Sequence, residues 1–165
     1  MPKEPLKIIA INPGTRYLGI AVFQGTELMD WRIKILKGKW SKEKMKKAIG
    51  IISDFIERYE TAVLAIKKLH PSRRSQNLTL LVARIKEFSK RRGLKVYQYS
   101  IKELEDFFVE NEKLNKRNLA EAVVSKYPVL SHDLNEERSH KNPYHIRAVE
   151  AVALASICLS QLDKH

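Results

Sequence analysis

Asn12 ends the apolar run Ile8-Ile9-Ala10-Ile11 and is followed at once by Pro13-Gly14 and a second apolar run that extends to Phe23. A strand that ends in a polar residue beside a tight turn is a frequent seat for catalysis. A carboxylate would serve metal-dependent chemistry best there, because hard divalent cations take anionic oxygen. An amide offers one neutral oxygen and two donor hydrogens, so it can touch a phosphate or a base but anchors a cation poorly. The other chemistry-bearing residues are mostly basic. Lys34 to Lys47 holds seven lysines against Glu43, and Lys67 to Lys95 holds ten Lys or Arg against Glu87. The second stretch includes Lys67, Lys68, Arg73, Arg74, Arg84, Lys90, Arg91 and Arg92, with His70 among them in a polar loop. Lys116 and Arg117 add a further pair. Asp133, Glu136 and Glu137, with His132, His140 and His145 close by, form an acid- and His-bearing cluster in one irregular stretch. No Ser/His/Asp or Cys/His arrangement stands out, and the segment from Asn12 to Gly19 lacks the Gly-Lys-Ser/Thr ending of a phosphate-binding loop.

The formal charge of +12 over 165 residues favours a polyanionic partner, nucleic acid above all. A chain of this length fits one domain, residues 1–165, with a core large enough to need no disulfide. Cys158, the single cysteine, sits in an apolar helical stretch and reads as a core residue. The start, MPKEPLK, lacks the apolar segment of an export signal, and no run is long and apolar enough for a membrane span, so the expected compartment is the cytoplasm.

These groups are positioned by a clear order of elements. Residues 7 to 12, 18 to 24 and 27 to 36 read as three strands of an antiparallel meander. Ser41 is placed to cap a helix over 42 to 59, whose apolar positions Met45, Ala48, Ile49, Ile52, Phe55 and Ile56 follow helical spacing. Ala62 to Ile66 reads as a buried strand, 77 to 91 as a helix stopped by Gly93, and Leu94 to Tyr99 as another strand. Helices are expected over 100 to 110 and 115 to 126, and a last one from Asn142-Pro143 to about residue 162. The sum is an α/β domain: a mixed five-stranded sheet, three antiparallel strands then two parallel ones, with helices on both faces.

Strand, Asn12-Pro13-Gly14-Thr15-Arg16-Tyr17-Leu18-Gly19, strand resembles the opening of the RuvC Holliday-junction resolvases of the ribonuclease H-like superfamily. Val63 to Lys68 resembles their fourth strand, Leu114 to Val123 their late helix, and Arg147 to Ala155 their last helix, so the resemblance covers nearly the whole chain. It implies four acidic positions that bind a pair of Mg²⁺ or Mn²⁺ ions for phosphodiester cleavage. Matched residue by residue, those positions hold Asn12, Lys67, Arg147 and Glu150 here. One carboxylate of four remains, and the local formal charge passes from minus four to about plus one. Such a set repels a pair of divalent cations, so no metal and no cofactor are expected.

The resulting expectation is a catalytically inactive, RuvC-like DNA- or RNA-binding protein, a pseudo-nuclease, that recognises branched or structured nucleic acid through the basic face around Lys67 to Arg92, with Lys116, Arg117 and Arg147 contributing. Lys67 and Arg147 would meet phosphate directly. In a blander account Arg147 pairs with Glu150 three residues on, and Lys67 snorkels into solvent. Two alternatives stay open: a structure-specific nuclease dependent on Mg²⁺ or Mn²⁺, and a protein-interaction module, with a homodimer implied by the resolvase resemblance.

Overall fold

The structure is a computed structural model that describes residues 4–73, 75–108, 116–132 and 146–163. Strands β1 (Lys7–Asn12), β2 (Tyr17–Gln24) and β3 (Glu27–Ile35) form the meander, and α1 (Lys42–Tyr59) leads to β4 (Val63–Lys67). Helix α2 (Gln76–Arg91), β5 (Lys95–Tyr99), α3 (Ile101–Phe108), α4 (Lys116–Lys126) and α5 (Ile146–Asp163) follow. The sheet order is β3-β2-β1-β4-β5, with β1 antiparallel to β2 and parallel to β4, and β4 parallel to β5. This is the mixed sheet expected from the sequence. The expected start of the last helix at Asn142-Pro143 lies outside the described residues.

β1 and β4 sit at the centre of the sheet, and side chains on both of their faces are buried. Alternation splits the core in two. Ile9, Ile11, Leu64 and Ile66 pack under Ile52, Leu81 and Ile85 of α1 and α2. Ile8, Ala10, Val63 and Ala65 pack on the opposite face, under Val149, Val152, Ala153 and Cys158 of α5. Full burial of each large aliphatic contributes about 1.5–3 kcal/mol, so the two layers together hold the sheet rigid.

Helix α1 starts as expected: the Ser41 hydroxyl accepts from the Lys44 N–H at 3.2 Å. Helix α5 is apolar nearly all round and rich in small residues, which lets it lie close across β1, β2 and β4. Gly19 permits the closest approach. A Cβ there would run into the carbonyl of Arg147, with the Arg147 carbonyl carbon 2.7 Å away. The absence of that one methyl sets the first turn of α5 down onto the β1–β2 turn. Among the described residues no helix is long and apolar enough to cross a membrane.

Candidate functional site

Asn12 and Lys67 are the last residues of two adjacent parallel strands, one step beyond the Ile11–Ile66 pair. Two residues beyond Ala10 and Ala65, they face α5. The first turn of that helix, pressed down at Gly19, brings Arg147 and Glu150 over them. All four positions singled out in the sequence therefore meet.

Their contacts are specific. The Asn12 amide nitrogen donates to Glu150 Oε2 at 2.8 Å and reaches the Arg147 carbonyl at 3.4 Å. Both partners are acceptors, which orients the NH₂ toward them. Lys67 Nζ donates to Glu150 Oε1 at 3.2 Å. Asn12 and Glu150 are 2% and 3% exposed, and the Lys67 side chain 21%. Both oxygens of the one carboxylate are thus engaged by donors from the protein. The ion pair allowed by sequence spacing, Arg147 with Glu150, gives way to the longer-range partners.

Arg147 turns the other way. Its NH1 lies 3.5 Å from the Pro13 carbonyl, and its guanidinium stands 5.9 Å from the centre of the Tyr17 ring. Gly14 makes room for it, since a Cβ there would come within 2.6 Å of NH1. The Arg147 Nε is buried and has no hydrogen-bond partner among the described residues. An unsatisfied buried N–H on a guanidinium is costly.

A cleft of about 740 Å³ opens from this point. Asn12, Lys67, Arg147 and Glu150 form its floor, Lys68, His70 and a second carboxylate, Glu105, line it further, and Leu69, Leu78, Ile101 and Ile146 give an apolar lining. His70 is exposed, and its Nδ1 accepts from the Ser72 N–H at 3.1 Å, so the neutral ring carries its proton on Nε2.

The remaining basic residues divide. β4 and β5 are parallel, so α2 runs back from the cleft to the opposite end of the sheet. A helix of 16 residues covers about 24 Å. Lys90, Arg91 and Arg92 consequently lie at the far edge. Several are also paired: Arg91 with Glu87 at 2.7 Å, Arg84 with Glu87 at 3.7 Å, and Arg92 with Glu57 at 3.2 Å while resting on the Phe88 ring. The stretch from Lys67 to Arg92, continuous in sequence, is two patches in space. Arg74 and the side chains of Arg73, Lys116 and Arg117 lie outside the described residues, as do Asp133, Glu136, Glu137, His140 and His145.

No protein-family model and no curated protein matches the sequence. Solved structures do. Thermus thermophilus RuvC in complex with a Holliday junction substrate aligns with a TM-score of 0.68 at 15% identity, over 91% of this chain and 90% of RuvC. A second Thermus thermophilus RuvC structure aligns with a TM-score of 0.68 at 16% identity, over 91% of each chain. The fold is RuvC-like. Within this RuvC-like fold the donor set does not fit a pair of divalent cations, which needs several converging carboxylates. Among the described residues the cleft supplies two carboxylates, Glu150, already engaged by Asn12 and Lys67, and Glu105 on α3, beside one amide and the cationic side chains of Lys67, Lys68 and Arg147. Among the described residues no group of three or more His, Cys, Asp or Glu is placed to hold a metal ion.

Two features escaped the sequence. The Lys67–Glu150 ion pair spans 83 positions, and only strand parity, which turns residue 67 toward the helix layer, hints at it. The seat of Arg147 on Pro13 and Tyr17 has no local signal at all.

Proposed function

We propose that this chain is a nucleic-acid-binding protein of RuvC-like fold that holds branched or structured DNA or RNA without cutting it. One observation carries the proposal: both oxygens of Glu150 accept from Asn12 and Lys67. The Lys67 ammonium already supplies the positive charge that this carboxylate would seek in a metal ion. Lys67, Lys68 and Arg147 outnumber Glu150 and Glu105 among the described residues of the cleft, a balance of plus one that disfavours a divalent cation. A phosphate meets the reverse, the cationic side chains of Lys67, Lys68 and Arg147.

The binding patch is the cleft with Lys67, Lys68, His70 and Arg147; Arg73, Arg74, Lys116 and Arg117 are further contacts that the sequence alone supports. Lys67 screens the buried Glu150, while Lys68 and Arg147 meet phosphate. His70 at the wall offers a ring face for an unstacked base. Arg84, Lys90, Arg91 and Arg92 fall outside this patch, because α2 carries them away from it and three of them pair with just two acids, Glu87 and Glu57. They add to the long-range field of the +12 chain. That RuvC itself was captured with a Holliday junction substrate supports a branched ligand.

Fluorescence anisotropy with labelled four-way junction, duplex, single strand and structured RNA, in chelator without divalent metal, tests the proposal. Binding of at least one branched or structured ligand is expected, weakened when Lys68→Gln and Arg147→Gln are combined. No binding to any of the four at low salt would overturn it.

A further inference from the structure

The run from Lys34 to Lys47 is the densest lysine stretch in the chain, and the cleft leaves it unused. β3 is parallel to β1, since both pair antiparallel with β2. The β3–α1 connection therefore emerges at the same sheet edge as Asn12 and Lys67. The backbone ties it there: the Leu36 N–H donates at 2.7 Å to the carbonyl of Arg16, in the β1–β2 turn.

The connection is also pinned from within. Lys44 is 7% exposed, its Nζ donates to the Gly38 carbonyl at 2.7 Å, and it stands 5.9 Å from the centre of the Trp40 ring. Gly38 has φ of +88°, a conformation that favours glycine. One lysine of the run is thus structural, and it fixes the others. Lys37, Lys39 and Lys42 are exposed around it, without an ion pair among the described residues. The N-terminus of α1 opens in the same place and adds the positive end of its dipole, with the Lys44 N–H already held by Ser41 and Glu43 the one acid of its first turn.

The two basic regions are continuous. The Tyr17 ring lies 5.7 Å from the guanidinium of Arg16 and 5.9 Å from that of Arg147. Cationic groups therefore run from Arg147 in the cleft, past Arg16, to Lys37 and Lys39. From the end of β4 to the end of β3 is three strand spacings, about 14 Å. That span matches about four base-pair rises of 3.4 Å.

Building on the nucleic-acid binding proposed above, we propose that Arg16, Lys37, Lys39, Lys42 and the α1 N-terminus form a second phosphate-contact site, which carries a duplex arm across the ends of β1, β2 and β3. The arm runs at right angles to the strands. Its partners are consecutive phosphodiesters, and the contacts carry no base information.

The test uses the full chain and a labelled four-way junction, with anisotropy followed as a function of salt. The variant K37Q/K39Q/K42Q is compared with K90Q/R91Q/K95Q, which removes the same charge from the opposite edge. Thermal denaturation checks that both remain folded; all six residues are exposed. The first variant is expected to lower the log–log salt slope by about 2.7, at 0.9 per phosphate contact, and to weaken binding about tenfold or more at low salt. The second is expected to shift affinity less than about threefold. Equal effects from the two variants would mean that only net charge matters and would overturn the site. Wild-type binding that depends on Lys68 and Arg147 but not on Lys37, Lys39 and Lys42 would overturn this inference and leave the proposed function standing. No binding by the wild type overturns both.

Discussion

Replacing Lys67 with Met removes the ammonium that faces Glu150 while keeping most of the stem volume. At 3.2 Å and an effective dielectric near 20, the attraction lost is about 5 kcal/mol before desolvation is counted. The Lys67 side chain is 21% exposed, so water screens part of this. What remains is a carboxylate 3% exposed with Asn12 as its one remaining side-chain donor. A loss of about 3 kcal/mol is expected for Lys67→Met, toward the low end for breaking a buried pair. Glu150→Gln leaves a lysine that can turn to solvent and is expected to cost about 1.5 kcal/mol. The double variant keeps a neutral amide opposite Asn12 and is expected to lose only about 2 kcal/mol, a coupling of about 2.5 kcal/mol. Urea denaturation of the four proteins, read as shifts in midpoint at constant m, measures it. A coupling below about 0.5 kcal/mol would refute the claim that Lys67 is held as the internal counter-ion of Glu150.

Gly19→Ala is expected to cost about 3 kcal/mol, because the new methyl meets the Arg147 backbone and not a flexible side chain. Gly50→Ala, in mid-helix with open space around it, is expected to stabilise by about 0.5–1 kcal/mol; calorimetry on both variants checks the contrast. Burial pushes the Cys158 thiol up from 9.0 to about 11. The Tyr99 phenol is raised too, by burial first and by its hydrogen bond with Cys158. Groups raised in the folded state stabilise fully below their ordinary value and lose that contribution as pH climbs to the folded one. Stability is therefore expected to fall between about pH 9 and 11, with about 2–3 kcal/mol from Cys158, and urea midpoints at pH 8 and 10.5 should differ less in Cys158→Ala.

Much of the sheet was legible because its signals are local. Ile8 to Ile11 and Val63 to Ile66 are apolar runs bounded by a Pro-Gly turn or a basic end, and Ser41 caps the helix that follows β3. The convergence of residues 12, 67, 147 and 150 was legible only through the resemblance of the motifs. The wiring among them was not. Spacing favours Arg147 with Glu150, yet a buried carboxylate takes whichever donors the tertiary fold brings nearest, and these come from two other strands. Clustering in sequence misled for the same reason: α2 is long enough to carry Lys90, Arg91 and Arg92 to the far edge. The Lys34 to Lys47 run, by contrast, returns to the site edge because β3 is parallel to β1.

The most direct measurement is a denaturing gel of a strand-labelled four-way junction, incubated with the protein and Mn²⁺ at a concentration where anisotropy shows the junction bound. A bound junction with every strand intact is expected, since the cleft offers Mn²⁺ two carboxylates, one of them already engaged, beside the cationic Lys67, Lys68 and Arg147. Cut strands that appear with Mn²⁺ and vanish in Glu150→Ala would contradict it.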